Sequence, residues 1–331
     1  MDGVMTSGDV RRKAPKARST ASTSRRRTGR EGAPYALGLD LGGTNVKALA
    51  VTPAGRVLAF AASPHGRRRA WTNAVRALVR QITVELAAAP VWMGVAAPGL
   101  PARDAASIAF MPGRLPGLEG MHWGRFLRVD RGVHVLNDAQ AALVGETWRG
   151  AARGTTNALL LTLGTGVGGA ALVDGRVLHG HLGRAGHLGH VSLDPEGALD
   201  IVNTPGSLED AIGDCTVAHR TGGRFDTTRA LVEASSNGDR EARRVWRTSI
   251  RALAAATASL VNVLDPEVVV IGGGIAQCGA ALFGPLRREM ARVEWRPAGA
   301  RVRIVPAALG DRAGAWGAAK QAMDAAARGD A

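Results

Sequence analysis

The sequence predicts an α/β protein made of two lobes that share one plan. A strand, a glycine turn, a second strand, a tight turn and a third strand occur over residues 35–60 and again over residues 157–179. Such a unit, repeated about 120 residues apart, indicates two lobes built alike. The length of 331 residues gives room for both. We assign residues 33–139 with 312–331 to a small N-terminal lobe and residues 140–311 to a large C-terminal lobe.

Apolar runs that stop at glycine, proline or Asp-Gly predict the strands. In chain order these runs are 35–41, 46–51, 56–60, 91–96, 133–137, 157–163, 170–173, 176–179 and 268–271. Apolar or alanine-rich stretches predict helices. They cover 72–88, 138–149, 242–264 and the residues from about 312 onward. Residues 100–132 are rich in Pro and Gly and predict a loop with little regular structure.

Composition excludes several classes of protein. Apolar residues make up 46% and charged residues 21%, as in globular proteins. No apolar run is long enough for a membrane-spanning helix. The two cysteines, Cys215 and Cys278, are too few for a disulfide framework or a four-cysteine zinc site, which favours a reducing cytoplasm. Aromatic residues, at 4%, are too few for a platform that stacks single-stranded nucleic acid.

The net charge of +14 is spread unevenly, and residues 1–32, a tenth of the chain, carry +6 of it. Residues 1–32 combine nine basic and three acidic residues with few large apolar ones, so we predict a disordered basic tail. Either the tail binds polyanions through its charge, or it is an extension without function, including one from a start codon set too far upstream. No apolar segment follows Arg11-Arg12, so no signal peptide is predicted.

The second glycine turn looks like a dinucleotide fingerprint but lacks its context. Residues 164–169 read GTGVGG, which matches G-x-G-x-x-G. The fingerprint requires a helix directly after the glycines, whereas here a strand and an Asp-Gly hairpin follow. The Walker pattern is also absent from the sequence. What remains is a glycine hairpin whose backbone N–H groups can converge on an anion.

The first glycine turn carries more chemistry than a plain hairpin needs. Residues 40–47 read DLGGTNVK and add a carboxylate, a hydroxyl and an ammonium group to the glycines. Backbone amides and Lys47 suit phosphate oxygens, and Asp40 suits a hydrated magnesium ion. One such turn alone is compatible with an ordinary β-hairpin. Two turns in equivalent positions favour a site for a polyphosphate with a divalent cation.

Taken together, five blocks in this order resemble the ROK family of bacterial sugar kinases, within the actin-like ATPase and hexokinase superfamily. The resemblance covers about residues 35–325. The blocks are LGLDLGGTNVK (37–47), the Asn137-Asp138-Ala139 region through Gly145-Glu146, LTLGTGVGGA (161–170), LDPE followed by VVVIGGGIA (264–276), and GDRAG through Gly317-Ala318 (310–318).

The resemblance implies a two-lobed actin-like ATPase (ribonuclease H-like) fold with the active site in the interlobe cleft. It implies phosphoryl transfer from ATP, with Mg²⁺, to a hexose hydroxyl, and a homodimer or higher homo-oligomer in the cytoplasm. The ATP-binding residues it implies are Asp40, Gly42, Gly43, Thr44, Asn45, Lys47, Gly164, Thr165, Gly166, Gly168, Gly272, Gly273 and Gly274. The sugar-binding residues it implies are Asn137, Asp138, His187, His190 and Glu209. A partner membrane or a specific nucleic acid is not expected.

Asp138 allows two interpretations. A sugar hydroxyl is a poor nucleophile, so a carboxylate that accepts its proton suits the reaction. Asp138 follows a predicted strand, at the end where α/β sheets present ligand groups. It also opens a predicted helix, so it could be the N-cap instead, worth about 1 kcal/mol. Both roles together are possible for one residue.

The histidine segment departs from the family pattern. The family has Glu-x-Gly-His followed by Cys-x-Cys-Gly-x-x-Gly-Cys-x-Glu, in which the histidine and three cysteines bind a structural zinc and the glutamates and the histidine contact the sugar. Here the cysteine positions hold Asp200, Val202 and Ser207, so no zinc is expected in that mode. His187 replaces the first glutamate, which predicts a changed sugar preference because a neutral imidazole offers one donor and one acceptor. Any zinc site in this segment would have to be formed by histidines alone, namely His179, His181, His187 and His190.

Three further alternatives stay open. Inorganic polyphosphate could replace ATP as the donor. The chain could be a sugar-responsive regulator, although residues 1–32 are too short and polar for a helix-turn-helix domain. It could also be a sensor with weakened kinase activity, as His187 would suggest. In the loop 111–117, Arg114 stands where the family often has a small amide-bearing residue and favours an anionic acceptor.

Overall fold

The computed structural model describes residues 33–66, 69–111, 113, 115–130 and 132–329. The predicted basic tail and Arg114 lie outside the described residues. Within these ranges, no helix combines the length and the apolar character that crossing a bilayer requires.

Within the described residues the strands are β1 Ala36–Leu41, β2 Asn45–Val51, β3 Val57–Pro64, β4 Trp92–Ala97, β5 Leu100–Pro101, β6 Ile108–Phe110, β7 Val133–Asn137, β8 Ala158–Leu163, β9 Val167–Val173, β10 Arg176–Val177, β11 Val268–Gly272 and β12 Arg303–Pro306. The α-helices are α1 Ala70–Glu85, α2 Trp123–Leu127, α3 Asp138–Arg149, α4 Leu208–Ile212, α5 Val217–Arg220, α6 Thr228–Ser236, α7 Arg240–Leu264, α8 Ala280–Val293 and α9 Ala313–Arg328. Short 3₁₀ helices cover Leu188–His190, Asp214–Thr216, Ile275–Cys278, Pro297–Gly299 and Gly310–Arg312.

Two five-stranded sheets repeat one topology, as the sequence predicts. The first has the strand order β3-β2-β1-β4-β7 and the second the order β10-β9-β8-β11-β12. In each sheet an antiparallel three-strand unit is extended by two parallel strands. The α/β fold class is therefore confirmed, whereas the residue limits of the two lobes stay a prediction.

The core lies on the faces of the two sheets. Leu39 and Val95 of the first sheet pack in one cluster with Trp71 of α1. Val269 of the second sheet packs in another cluster with Ile250 of α7. Burial of large aliphatic and aromatic side chains is worth about 1.5–3 kcal/mol each, so these two clusters fix the sheets that carry the glycine turns.

Helix α8 is missing from the sequence prediction because Pro285 lies inside it. Proline has no N–H, so the carbonyl of Ala281, four residues earlier, loses its helical donor. The indole Nε1 of Trp246 in α7 donates to that carbonyl at 3.1 Å. Trp246 of α7 thus replaces the hydrogen bond that Pro285 removes. No local sequence pattern shows this contact between two helices.

Helix α9 packs against both the first sheet and helix α3 at very short range. A Cβ on Gly317 would lie 1.6 Å from the Ala141 carbonyl oxygen of α3, and a Cβ on Gly145 would lie 2.5 Å from the Ala313 carbonyl oxygen of α9. On the sheet side, Ala315 and Trp316 of α9 share a cluster with strand residues, among them Leu49. Only glycine permits this approach of two helix backbones.

Glu146 joins the end of α3 to the segment before α9. Its side chain is fully buried and accepts hydrogen bonds from the backbone N–H groups of Ala151 at 2.7 Å, Ala308 at 3.0 Å and Leu309 at 2.8 Å. Three charge-assisted bonds to one buried carboxylate satisfy groups that would otherwise have no solvent partner.

We expect Glu146→Gln to lower the free energy of unfolding by about 2–4 kcal/mol, because its amide NH₂ would face one of these N–H donors. Urea unfolding followed by circular dichroism measures the change. Glu85→Gln, an exposed substitution at the end of α1, is the matched control. A loss no larger than that of the control would contradict the role of Glu146.

Candidate functional site

Asn137, rather than Asp138, is the N-cap of helix α3. Its Oδ1 accepts from the N–H of Ala139 at 2.9 Å, and its Nδ2 donates to the Gly99 carbonyl at 3.0 Å. Gln140 completes a capping box by accepting from the Asn137 N–H at 3.3 Å. Both ends of the Asn137 amide are therefore engaged within the protein, although the sequence predicts that it contacts the sugar.

Asp138 is the first residue of α3 and its side chain is exposed. Its Oδ1 accepts from the N–H of Ala139 at 2.8 Å. Because the cap is supplied by Asn137, the helix does not depend on Asp138 for its start. The carboxylate stands at a helix N-terminus, where the helix dipole favours negative charge.

The first glycine turn brings Asp40 and Lys47 together with the start of α9. The Lys47 Nζ lies 3.8 Å from the Asp40 Oδ2 and 3.5 Å from the Asp311 Oδ2, and it donates to the Asp311 carbonyl at 2.6 Å. A Cβ on Gly314 would lie 2.9 Å from the Asp40 carboxyl carbon, so this glycine leaves the space that the carboxyl group fills. Asp311 is a site neighbour that the sequence prediction did not include.

Burial raises the pKa of Asp40 to about 7. Lys47 lowers that pKa, while the negative charges of Asp138 and Asp311 raise it further. A buried carboxyl group with hard oxygen donors fits a hydrated magnesium ion.

The rest of the first turn is open to solvent. Gly43 and Thr44 are exposed, and the Asn45 Nδ2 donates to the Thr44 Oγ1 at 3.3 Å. Gly42 precedes them and is half-buried. His65, from the end of β3, binds the turn: its N–H donates to the Thr44 carbonyl at 3.1 Å and its ring Nε2 lies 2.5 Å from the Gly43 carbonyl. No sequence pattern pointed to His65, because the contact depends on the pairing of β2 with β3.

The second glycine turn is held by Glu209 of α4. The Val167 N–H donates to the Glu209 Oε2 at 2.9 Å, and a Cβ on Gly166 would lie 2.3 Å from the same oxygen. The Gly164 N–H donates to the Gly166 carbonyl at 3.0 Å and closes the hairpin. Glu209, predicted to bind the sugar, thus touches the predicted phosphate turn through Val167.

The 3₁₀ helix Asp214–Thr216, which follows α4, binds the other side of this turn. The N–H of Asp214 donates to the Gly164 carbonyl at 2.9 Å, and the N–H of Cys215 donates to the Thr165 carbonyl at 2.8 Å. Asp214 also lines a cavity of about 250 Å³ together with Gly274. The other lining residues are Thr227, Arg229, Ile275, Gln277 and Cys278.

The glycine triplet lies directly against the second turn. Gly272 ends β11, and Gly273 has φ +87° with its α-carbon so close to β8 that a Cβ would lie 2.2 Å from the Leu163 carbonyl oxygen. Only glycine fits both constraints. The triplet, the cavity and Asp214 therefore form one region beside Gly164 and Thr165.

The start of α3, the second turn and the histidine segment meet at Val167 and Gly168. A Cβ on Gly168 would lie 3.6 Å from the Ala139 Cβ. A Cβ on Gly189 would lie 1.9 Å from the Val167 carbonyl oxygen. The residue after Asp138 thus lies against the second turn, and the charge of Asp138 acts on the pKa of Asp40 in the first turn.

His187 and His190 differ in their surroundings. Burial, and next the charge of His190, lower the pKa of His187. Its Nε2 is buried and has no hydrogen-bond partner in the part of the chain that the structure describes. The Nδ1 of His190 lies 2.7 Å from the Oδ2 of Asp200, whose side chain is fully buried.

These residues do not fit a zinc ion. The described ranges contain no group of three or more His, Cys, Asp or Glu side chains placed to hold a metal. Asp200 already accepts from the N–H groups of Val202 and Thr204, both at 2.9 Å. Val202 has no donor atom, and Ser207 caps α4.

Comparison with known proteins identifies sugar kinases among the relatives of this chain. Glucokinase from Thermotoga maritima is 31% identical over 77% of this chain and 86% of its own length. N-acetylmannosamine kinase from Yersinia pseudotuberculosis is 30% identical over 86% of this chain and 96% of its own.

Two solved structures share the fold. The ROK hexokinase from Thermus thermophilus superposes with a TM-score of 0.77 at 30% identity, covering 89% of this chain and 99% of that one. A ROK family glucokinase from Streptomyces griseus, in complex with glucose and AMPPNP, gives 0.71 at 26% identity over 88% and 99%. The two sheets therefore form an actin-like ATPase fold. Because the profile of the ROK family matches residues 36–325, the chain belongs to the ROK family.

Proposed function

We propose that this protein is an ATP-dependent kinase of a hexose hydroxyl, of glucokinase type. Relatives that span most of the chain are glucokinases and an N-acetylmannosamine kinase, which supports sugar kinase activity. A structural neighbour binds glucose and an ATP analogue. The observation that carries the proposal is that α3, which begins at Asp138, starts against the second glycine turn, where a Cβ on Gly168 would lie 3.6 Å from the Ala139 Cβ, while the charge of Asp138 raises the pKa of Asp40 in the first turn.

In this mechanism Asp138 is the general base. Its exposed carboxylate accepts the proton of the sugar hydroxyl as the oxygen attacks the terminal phosphorus of ATP, the bond from that phosphorus to the bridging oxygen breaks, and ADP leaves. The N–H groups of the first glycine turn, the remaining N–H groups of the second turn and Lys47 would face the phosphate oxygens. Glu209 holds the second turn through Val167 and so fixes the direction of its remaining amides.

The same residues fit magnesium. When bound, the ion neutralises charge on the phosphates, and Asp40 is the carboxylate that would hold it through water. The Nζ of Lys47 lies 3.8 Å from the Oδ2 of Asp40, so the two side chains belong to one cluster of charged groups. The adenosine part of ATP is assigned to the cavity beside Gly274 and Asp214.

The test is sugar-dependent ADP formation by the purified chain, with glucose, mannose, N-acetylglucosamine and N-acetylmannosamine as substrates. Mass spectrometry identifies the phosphorylated sugar. A parallel reaction with inorganic polyphosphate instead of ATP decides between the two donors. ADP formation that no sugar stimulates would overturn the proposal and favour a sensor or regulator.

His187 is expected to set sugar preference. We expect His187→Glu to change the ratio of kcat/KM between two sugars of the panel by about fivefold to tenfold, because a carboxylate accepts two hydroxyl hydrogen bonds where a neutral ring accepts one. KM for ATP should stay within about twofold, because the substitution changes no hydrogen bond to ATP and one hydrogen bond is worth about 1 kcal/mol. His181→Glu, at an exposed position of the same segment, is the control. An unchanged order of sugars would remove His187 from the sugar pocket.

A further inference from the structure

Asp200 occupies the centre of a hydrogen-bonded loop rather than of a metal site. Its Oδ1 accepts from the N–H groups of Val202 and Thr204, and its own N–H donates to the Thr204 carbonyl at 3.0 Å. Its Oδ2 is 2.7 Å from the Nδ1 of His190. With both oxygens engaged and a fully buried side chain, the carboxylate has one orientation.

The carboxylate stays ionised despite its burial. Burial raises the pKa of Asp200, but hydrogen bonds from the Thr204 N–H, His190, the Val202 N–H and Ser207 outweigh it, so the pKa is lowered overall. An ionised carboxylate only accepts hydrogen bonds. The hydrogen between Asp200 and His190 therefore belongs to Nδ1, and in the neutral ring Nε2 carries the lone pair.

The histidine that Asp200 holds is attached to the proposed active site. The residue before it, Gly189, approaches the Val167 carbonyl too closely for any Cβ. The N–H of the same Val167 is bound by Glu209. On the other side, the Leu208 N–H donates to the Val191 carbonyl at 3.0 Å and ties α4 to the residue after His190. The backbone at His190 is thus fixed against the second turn, and about a fifth of its side chain is exposed.

We propose that Asp200 is a positioning residue: through Nδ1 it fixes the orientation and tautomer of His190, so that Nε2 accepts a hydrogen bond from a hydroxyl of the sugar. This inference rests on the proposed sugar kinase function. The inference also accounts for the absence of zinc-binding thiolates in this sequence. The buried Asp200 carboxylate makes the contact to Nδ1 of His190 that a metal ion would otherwise make. A carboxylate in that position sets the tautomer of a histidine in the same way as a carboxylate behind a metal ligand does.

The informative variant is Asp200→Asn. Its Oδ1 can keep the two backbone N–H bonds, while its NH₂ then donates to Nδ1 and moves the ring proton to Nε2, which turns the acceptor into a donor. We expect KM for the preferred sugar to rise by about 10-fold to 100-fold, with KM for ATP within about twofold. Asp194→Asn, an exposed carboxylate in the same loop, is the matched control and should leave both constants unchanged.

A double-mutant cycle separates this role from a structural one. His190→Gln keeps a polar atom near the Nε2 position but removes Nδ1. In that background Asp200→Asn should change the sugar KM by less than about twofold, because coupled residues are not additive. Nitrogen-15 imidazole shifts of His190 should show a protonated Nδ1 in the parent and a protonated Nε2 in Asp200→Asn.

Two results would overturn the inference. One is an unchanged sugar KM in Asp200→Asn. The other is a loss that persists in full in the His190→Gln background, because Asp200 would then act only on the loop. A parent protein that turns over no sugar would instead remove the proposed function, and the inference with it, whatever tautomer the imidazole shifts report.

Discussion

Asp138→Asn is expected to lower kcat by about 10²–10⁴-fold, the usual worth of a positioned general base. The asparagine amide cannot accept the hydroxyl proton, while its size and shape match the aspartate. Steady-state ADP formation at saturating sugar and ATP measures the effect. KM for ATP should change by less than about threefold, because the nucleotide is assigned to other residues.

The fold offers a favourable control for this substitution. Since Asn137 supplies the cap of α3, replacing Asp138 should leave thermal unfolding within about 0.5 kcal/mol of the parent. Asp226→Asn, at an exposed position, serves as the matched variant. If Asp138→Asn kept kcat within about threefold of the parent, the base would be another group.

Asp40→Asn is expected to separate stability from activity. The pKa of Asp40 is raised to about 7 by burial, so the folded state binds this proton more tightly than the unfolded chain does. As the pH rises from about 4 to about 7, loss of this proton progressively lowers the free energy of unfolding of the metal-free protein. Above about pH 7 the full cost applies. Asparagine removes that cost, and we expect a gain of roughly 2 kcal/mol at pH 8 and almost none near pH 4.

Activity should move in the opposite direction. Without the Asp40 carboxylate, kcat/KM for Mg-ATP should fall by about 100-fold or more. Urea unfolding in the absence of divalent cations, at pH 4.5 and pH 8, measures the first effect, and ADP formation over a range of Mg²⁺ concentrations measures the second. Asp226→Asn should shift neither. Destabilisation of Asp40→Asn at pH 8 would show that its pairing with Lys47 outweighs its burial.

The sequence predicts the sheets well because their signals are local. Glycine turns, Asp174-Gly175 and apolar runs fix the strands of both repeats, and each repeat is present in the structure. The exceptions depend on tertiary contacts. Strand β3 extends to Pro64 because it follows its partner β2, and β10 stops at Val177 after two residues. Helix α8 depends on the Trp246 indole, which lies far away in sequence.

The roles of the site residues stay predictions, whereas several of their contacts are visible only in the structure. The start of α3 lies against the second glycine turn, and Gly273 lies against Leu163, the residue before that turn. The division of labour between Asn137 and Asp138 is not visible in sequence, because either residue is a good cap. In the sequence, Asp200 is notable only because it occupies a position where the family has a cysteine. Its bond to His190 depends on a loop that the carboxylate itself closes.

The close packing of α9 has a consequence for biosynthesis. Strands β1 and β4 are translated early, yet Gly38 and Gly94 on their shared face pack against the backbone of α9, residues 313–328. This contact cannot form until almost the whole remaining chain has left the ribosome. Domains usually fold in the order of their synthesis, but here the packing of the first sheet is completed last. We expect the incompletely packed sheet to bind chaperones during translation.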